Sequence, residues 1–146
     1  MTVLDVNILL YAYNADAPEH ATVRKWLDGL LASREWIGLT WLTLWAFLRI
    51  TTNPRIFPRP LSVKEAFEIT RRWLELPTVV LIEPGARHAS LLERLAIGNQ
   101  AGGPLLTDAV LAAIALEHGA VVASTDRDFS RFSSIQWVNP IGHSAT

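Results

Sequence analysis

Strand-like apolar runs alternate with segments of helical periodicity along this chain, and this alternation constrains its fold most strongly. Residues 2–5 form the first such run, and residues 120–123 form a second one near the far end. Strands that alternate with helices are typical of an α/β fold with a parallel sheet. We therefore expect an α/β, three-layer fold in which a central parallel sheet of four to five strands is flanked by helices.

The same periodicity assigns individual elements to the chain. We expect strands at 2–5, 36–39, 78–82, 120–123 and 135–138, and helices near 8–13, 18–32, 41–48, 62–76, 86–97 and 107–118. Thr40 and Ser62 are expected to cap two of these helices, Ser62 in a capping box with Glu65. Thr107 is expected to cap the last helix, and Gly119 to end it.

Length and composition narrow the class of protein. A chain of 146 residues that is 50% apolar suits one domain spanning residues 1–146. The net charge of −1 indicates no global field for a polyanionic partner. The sequence has no cysteine, which excludes disulfides and thiolate zinc sites. Neither a signal peptide nor an apolar stretch of membrane-spanning length is evident, so we expect a cytoplasmic protein without membrane contact.

Three acidic residues are expected to converge at one edge of the sheet. Asp5 ends the first predicted strand and Asp126 follows the fourth, and the carboxyl ends of parallel strands share one edge. Asp108 lies in the first turn of the helix that leads into the fourth strand. That helix should begin at the same edge of the sheet, so we expect Asp108 to lie there with the other two acids. Converging carboxylates repel one another unless a proton or cation neutralises them. Oxygen ligands favour Mg²⁺ or Mn²⁺, whose natural chemistry here is phosphodiester hydrolysis.

Each of these polar residues also has an ordinary structural interpretation. An acid in a first helical turn, such as Asp108, complements the helix dipole. Asp126 and Asp128 also suit a turn. Asn7 either supports Asp5 or serves as a turn or cap residue after the strand. Asp5 is the hardest to explain structurally, because the end of a buried strand offers few reasons for a charge.

Four sequence segments follow one another in a characteristic order and spacing: residues 4–10 (LDVNILL), 47–50 with 52–55 (FLRI, TNPR), 106–109 with 115–120 (LTDA, ALEHGA), and 124–129 (STDRDF) with Trp137, Asn139 and Pro140. Together they resemble the segments of PIN-domain ribonucleases, and specifically of VapC-type toxins of toxin–antitoxin systems. The resemblance covers nearly the whole chain and implies a PIN-like fold.

The resemblance also implies an activity, a cofactor and partners. It implies a Mg²⁺- or Mn²⁺-dependent endoribonuclease that hydrolyses RNA, is inhibited by a VapB-like antitoxin, and forms a homodimer. By position in the family pattern, Asp5, Asp108 and Asp126 are catalytic and metal-binding residues. Asp128 is an auxiliary metal carboxylate, and Thr125 has a supporting role beside that of Asn7.

The chain departs from the family pattern at one position. The family usually has a glutamate on the helix before the Phe-Leu-Arg segment, where this chain has Leu44, Trp45 and Ala46. The site therefore has one negative charge fewer. Two alternatives follow: a catalytically weakened PIN-like module that binds RNA or a partner, and a metal-dependent phosphohydrolase of small substrates.

A basic segment is the last feature with functional weight. Residues 49–72 contain six arginines or lysines and two glutamates, a local excess of +4 in a nearly neutral chain. Arg49 and Arg55 are predicted to contact RNA or the antitoxin. Trp41 and Trp45, one helical turn apart, are interpreted as core or interface anchors rather than as base-stacking platforms.

Overall fold

A single parallel sheet forms the centre of the computed structural model, which describes residues 1–142. The last four residues of the predicted domain lie outside the described residues. All pairings are parallel, and the five strands stand in the order β3-β2-β1-β4-β5. The strands are β1 (Thr2–Leu4), β2 (Ile37–Leu39), β3 (Val79–Leu81), β4 (Val121–Ala123) and β5 (Gln136–Val138).

Helices cover both faces of the sheet, which confirms the three-layer prediction. Within residues 1–142 these are α1 (Val6–Tyr13), α2 (His20–Ala32), α3 (Trp41–Thr51), α4 (Val63–Glu75), α5 (His88–Gly98) and α6 (Leu105–Glu117), with a short 3₁₀ helix at Arg127–Arg131. None of these helices has both the length and the hydropathy needed to span a bilayer.

Adjacent residues of β1 supply two separate cores, because successive side chains of a strand point to opposite faces. Leu4 packs with Phe47 and other residues of α1 to α4 on one face. Val3 packs with Leu111 and other residues of α5 and α6 on the opposite face. Burying one such large apolar side chain stabilises a fold by about 1.5–3 kcal/mol. The site described below therefore rests on a strand that is held from both sides.

The predicted helix starts are confirmed for two helices and wrong for a third. The Thr40 hydroxyl accepts a hydrogen bond from the Thr43 amide at 3.2 Å, and Ser62 and Glu65 form the predicted capping box. The helix α6, however, begins at Leu105 after Pro104, so Thr107 lies inside the helix rather than at its cap. The fixed backbone of proline, here with φ of −59°, suits the start of a helix and explains the earlier boundary.

The two tryptophans of α3 lie outside the core, so of the two roles expected for them, core or interface anchor, the core role is wrong. Trp41 and Trp45 are 39% and 64% exposed, whereas Thr43 and Thr51 are buried with Leu44 and Phe47. The threonines can be buried because their hydroxyls donate to backbone carbonyls of Leu4 and Phe47, at 2.9 and 2.7 Å. The core face of α3 therefore includes two threonines with satisfied hydroxyls, while both tryptophans remain accessible to solvent.

Candidate active site

Asp5 lies at the junction between the central strand and the first helix. Its backbone is extended, and its Oδ1 accepts a hydrogen bond from the Val6 amide at 2.7 Å as the cap of α1. Its Oδ2 accepts from the Ser124 hydroxyl at 2.6 Å and from the Asn7 side-chain amide at 3.0 Å. These donors hold the carboxylate in one orientation at the carboxyl edge of the sheet.

Ser124 has no predicted role in the sequence interpretation above, but it lies at the centre of this hydrogen-bond network. Its side chain is fully buried, and its hydroxyl donates to Asp5 while accepting from Asn7 at 2.9 Å and from the Asp126 amide at 3.0 Å. Its position in the sequence could have predicted this role, because Ser124 directly follows β4 just as Asp5 directly follows β1. A buried serine at that position predicts a polar partner across the strands.

Asn7 and Thr125 complete the link between the two strand ends. The Asn7 amide group donates to both Asp5 and Ser124, and its Oδ1 accepts from the Thr125 backbone amide at 3.1 Å. The geometry therefore places Asn7 as a support of Asp5, and Asp5 itself is the helix cap. Thr125 enters this network through its backbone.

Three further carboxylates lie together at the same edge. One oxygen from each of Asp108, Asp126 and Asp128 lies within 4.8 Å of the others. Asp108 comes from the first turn of α6, as predicted. Asp126 caps the 3₁₀ helix, where its Oδ1 accepts from the Asp128 amide at 2.9 Å. The edge thus collects acids from three separate parts of the chain.

Burial and repulsion by neighbouring acids raise the pKa values of two of these carboxyl groups, Asp5 and Asp108. Burial, followed by the charges of Asp126, Asp5 and Asp128, raises the pKa of Asp108 to about 6. Burial also raises the pKa of Asp5, with a smaller contribution from Asp126, against the lowering effect of its hydrogen bonds from Ser124, Val6 and Asn7. Several anionic oxygens held close together form a donor set that suits a hard divalent cation. The residues present therefore fit a divalent metal.

A cavity of about 310 Å³ opens beside these acids. Asp5, Asp108 and Thr107 line one side, and α3 contributes the other with Leu42, Thr43, Trp45, Ala46 and Arg49. No carboxylate of α3 lines it in the described part of the chain, as the departure from the family pattern predicted. Leu44 is buried in the core, whereas Trp45 and Ala46 both line the cavity, and Ala46 is the smaller of these two side chains.

The two predicted contact arginines differ in their positions. Arg49 lines the cavity from the last turn of α3. Arg55 is exposed in the turn that follows α3, where its backbone amide donates to the Asn53 side chain at 2.9 Å, and it is not among the residues lining the cavity. The structure therefore brings Arg49 to the candidate site and leaves Arg55 outside it.

Comparison with known proteins agrees with this arrangement. The PIN domain family model matches residues 2–135. The chain is 41% identical over 140 residues to ribonuclease VapC37 of Mycobacterium tuberculosis, covering 96% of this chain and 97% of that protein. It is 44% identical to ribonuclease VapC25 of the same organism, covering 96% and 99%. The chain therefore belongs to the PIN-domain family, among the VapC-type ribonucleases.

The fold is also shared with solved structures. VapBC2 from Rickettsia felis, bound to a DNA fragment from their promoter, contains a chain that matches with a TM-score of 0.70 at 18% identity. The match covers 94% of this chain and 97% of that chain. It confirms the predicted PIN-like fold across almost the whole protein.

Proposed function

We propose that this protein is a single-domain endoribonuclease, the toxin of a VapBC-type toxin–antitoxin pair, which hydrolyses RNA with a bound Mg²⁺ or Mn²⁺. We further propose that a VapB-like antitoxin inhibits it, that it forms a homodimer, and that it acts in the cytoplasm, where its RNA substrate is found. Full-length similarity to VapC ribonucleases supports the activity. The acidic edge supports the metal.

One observation carries the mechanism: carboxylates from distant parts of the chain meet beside a cavity whose wall also includes the positively charged Arg49. Asp108, Asp126 and Asp128 are close enough for their oxygens to share one ion, and Asp5 lies beside them in the cavity wall. A divalent cation, when bound, polarises a phosphoryl oxygen and lowers the pKa of an attacking water. Asp5, Asp108 and Asp126 are the proposed catalytic and metal-binding residues, with Asp128 as an auxiliary ligand.

The residues of the chain have distinct tasks in this mechanism. Asp5 presents a carboxylate whose orientation Ser124 and Asn7 fix, which reduces the reorganisation needed for binding. Burial and the neighbouring carboxylates raise the pKa of Asp108 to about 6, so below that pH a proton would compete with a divalent cation for its carboxylate. Arg49 supplies positive charge for a phosphate of the RNA backbone at the cavity wall.

Cleavage of structured cellular RNA in Mg²⁺ or Mn²⁺ tests this proposal. We expect wild type and Asp28→Asn to cleave alike, because Asp28 is an exposed partner of Arg24 on α2. We expect chelator to abolish cleavage, and Asp108→Asn to abolish it while the fold is retained. Equal cleavage by Asp108→Asn and Asp28→Asn would contradict the assignment of the site.

A second candidate function follows from the α3 side of the cavity. Because α3 places no acid there, the protein could bind RNA or a partner with weakened catalysis. That function predicts RNA binding by the wild-type protein without metal-dependent cleavage. A gel-shift measurement run beside the cleavage assay on the same RNA separates the two functions.

A further inference from the structure

Trp45 exposes an unusually large apolar surface beside the proposed active site. Its side chain is 64% exposed, on a helix whose opposite face is fully packed into the core. Exposed indoles are unfavourable in water, and apolar surface concentrated beside a functional site commonly marks a contact surface. The helix α3 could have kept its core face with a polar residue at this position.

Trp45 and Arg49 join two concave surfaces of the protein. Both residues line the cavity that contains Asp5 and Asp108. Both also line an adjoining groove between α3 and α4, together with Leu48, Thr52, Val63 and Phe67. A chain bound across the acidic cavity can therefore continue into this groove past the same indole and guanidinium.

The charges along this route favour a polyanion. Arg49 forms no ion pair with any residue of the described chain. A further groove on α3 and α4, lined by Trp41 and Phe67, has Arg71 as its charged residue. A second copy of the protein docked symmetrically on this face would bring arginines towards arginines, whereas an RNA backbone would neutralise them.

In place of the anchor role expected from the sequence, we propose that Trp45 is a base-stacking platform for single-stranded RNA, positioned for the nucleotide next to the cleaved phosphate, and that Arg49 binds the adjoining phosphate. This inference rests on the proposed nuclease function and adds the conformation of the substrate. The aromatic rings of tryptophan stack on any base, so the contact recognises an unpaired nucleotide rather than a sequence.

Trp41 prepares Trp45 for this task. The two indoles stack with ring centroids 6.0 Å apart and an interplanar angle of 27°. This contact restricts the orientation of Trp45 before RNA arrives, which lowers the entropy lost on binding. Trp41 is thus a positioning residue for Trp45.

Binding to two octamers tests the inference. The probes are fluorescein-labelled octauridine and an octamer of abasic ribose units, measured by anisotropy in Mg²⁺ and in an Asp108→Asn background that prevents cleavage. We expect Trp45→Ala to weaken octauridine binding by roughly 5- to 150-fold, the range of one base–aromatic stack. Trp45→Phe should restore much of the affinity. Neither variant should change binding of the abasic octamer, whereas Arg49→Ala should weaken binding of both probes.

Trp36→Ala is the matched control. Trp36 is 54% exposed, but it precedes β2 and therefore lies at the opposite edge of the sheet. Equal octauridine binding by Trp45→Ala and Trp36→Ala would overturn the inference. It would also be overturned if Trp45→Ala converted a dimer to a monomer in sedimentation while octauridine binding stayed unchanged, because Trp45 would then be a self-association residue.

Measuring RNA cleavage beside octauridine binding distinguishes failure of the stacking role from failure of the nuclease proposal. If wild type cleaves RNA in a metal-dependent manner and Trp45→Ala cleaves as fast as Trp36→Ala, only the stacking role fails. If wild type neither cleaves cellular RNA nor binds octauridine, both proposals fail together.

Discussion

Asp5 and Asp108 line the same cavity, but the protein holds them in opposite ways. Asp5 accepts hydrogen bonds from Ser124, Asn7 and the Val6 amide, and its position is set by the network between β1 and β4. Asp108 accepts no hydrogen bond within residues 1–142, and it faces three other carboxylates, which with burial raise its pKa to about 6.

Because one carboxylate has hydrogen-bond donors and the other has none, a single acidic site can be ordered without a metal and still favour cation binding. A carboxylate saturated with donors is stable in the empty protein and provides a fixed reference point. A carboxylate without donors is destabilised by its neighbours, and a divalent ion relieves that repulsion. We infer that Asp5 provides a carboxylate in a fixed position and that the repulsion around Asp108 favours the binding of a divalent cation.

The largest effects are expected when asparagine replaces Asp5 or Asp108, and the two variants should differ in stability. Asp5→Asn and Asp108→Asn should each reduce RNA cleavage by more than about 100-fold, because both remove a proposed ligand charge. Their stabilities should diverge: Asp5→Asn places an amide against donors and should lower the free energy of unfolding, whereas Asp108→Asn should not. Cleavage rates and urea unfolding of both variants check this. A shared fall in stability would erase the distinction.

Removing the support of Asp5 should have the next largest effect. Ser124→Ala deletes the 2.6 Å hydrogen bond to Asp5 and leaves buried polar groups without that partner. We expect a loss of activity of about 10- to 100-fold, typical of residues that orient a metal ligand. We also expect a loss of about 1–2 kcal/mol in unfolding free energy. The control is Ser130→Ala, at an exposed position. If Ser124→Ala were as active as this control, Ser124 would have no role in orienting Asp5.

Adding the acid that α3 lacks should increase the negative charge around Asp108 and therefore the affinity for Mg²⁺. Ala46→Glu places a carboxylate into the cavity, where the extra charge should tighten Mg²⁺ binding by about 10-fold. Ala46→Gln has the same size without the charge and should not tighten it. Calorimetric titration with Mg²⁺ measures both. Equal affinities would show that the missing charge does not limit metal binding.

The smallest expected effect concerns the stability of the metal-free protein. The pKa of Asp108 lies at about 6 when folded and near 3.8 when unfolded, so the folded state binds the proton more tightly. Stability therefore falls as pH rises from about 4 to about 6, and Asp108→Asn removes this fall. After allowance for solvent screening of a half-exposed carboxylate, we expect the variant to be about 1 kcal/mol more stable than wild type at pH 7.5.

Urea unfolding in chelator at pH 4 and pH 7.5 checks this expectation. The two proteins should be nearly equal at pH 4, where Asp108 is protonated. A stability difference of the same size at both pH values would mean that the substitution acts by packing and not by charge.

The parallel sheet and the convergence of the acids are the features that could be predicted from the sequence. Apolar runs followed by Asp5 and Asp126 were sufficient to expect a parallel sheet with acids at one edge, because the physics of strands and parallel sheets is local and periodic. The capping box of Ser62 and Glu65 was predictable for the same reason. The strands and the capping box depend on neighbours within a few residues, and the convergence of the acids follows from the general geometry of parallel sheets.

Features set by contacts between distant segments were not predictable. Thr43 and Thr51 are buried because particular carbonyls accept their hydroxyls, and Trp45 is exposed because α3 turns that face away. Ser124 owes its role to Asp5, which is 119 positions away in sequence. Residue hydrophobicity does not encode these partners, which appear only once the sheet order is known.

The central position of β1 has a consequence for how the protein is made. The partner strand β4 and the hydroxyl that holds Asp5 are separated from β1 by more than a hundred residues of the chain. Domains fold as units during synthesis, so a growing chain carries Asp5 long before it has a site. A nascent chain that stops before β4 lacks Ser124, Asp126 and Asp128, so it cannot assemble the acidic site around Asp5.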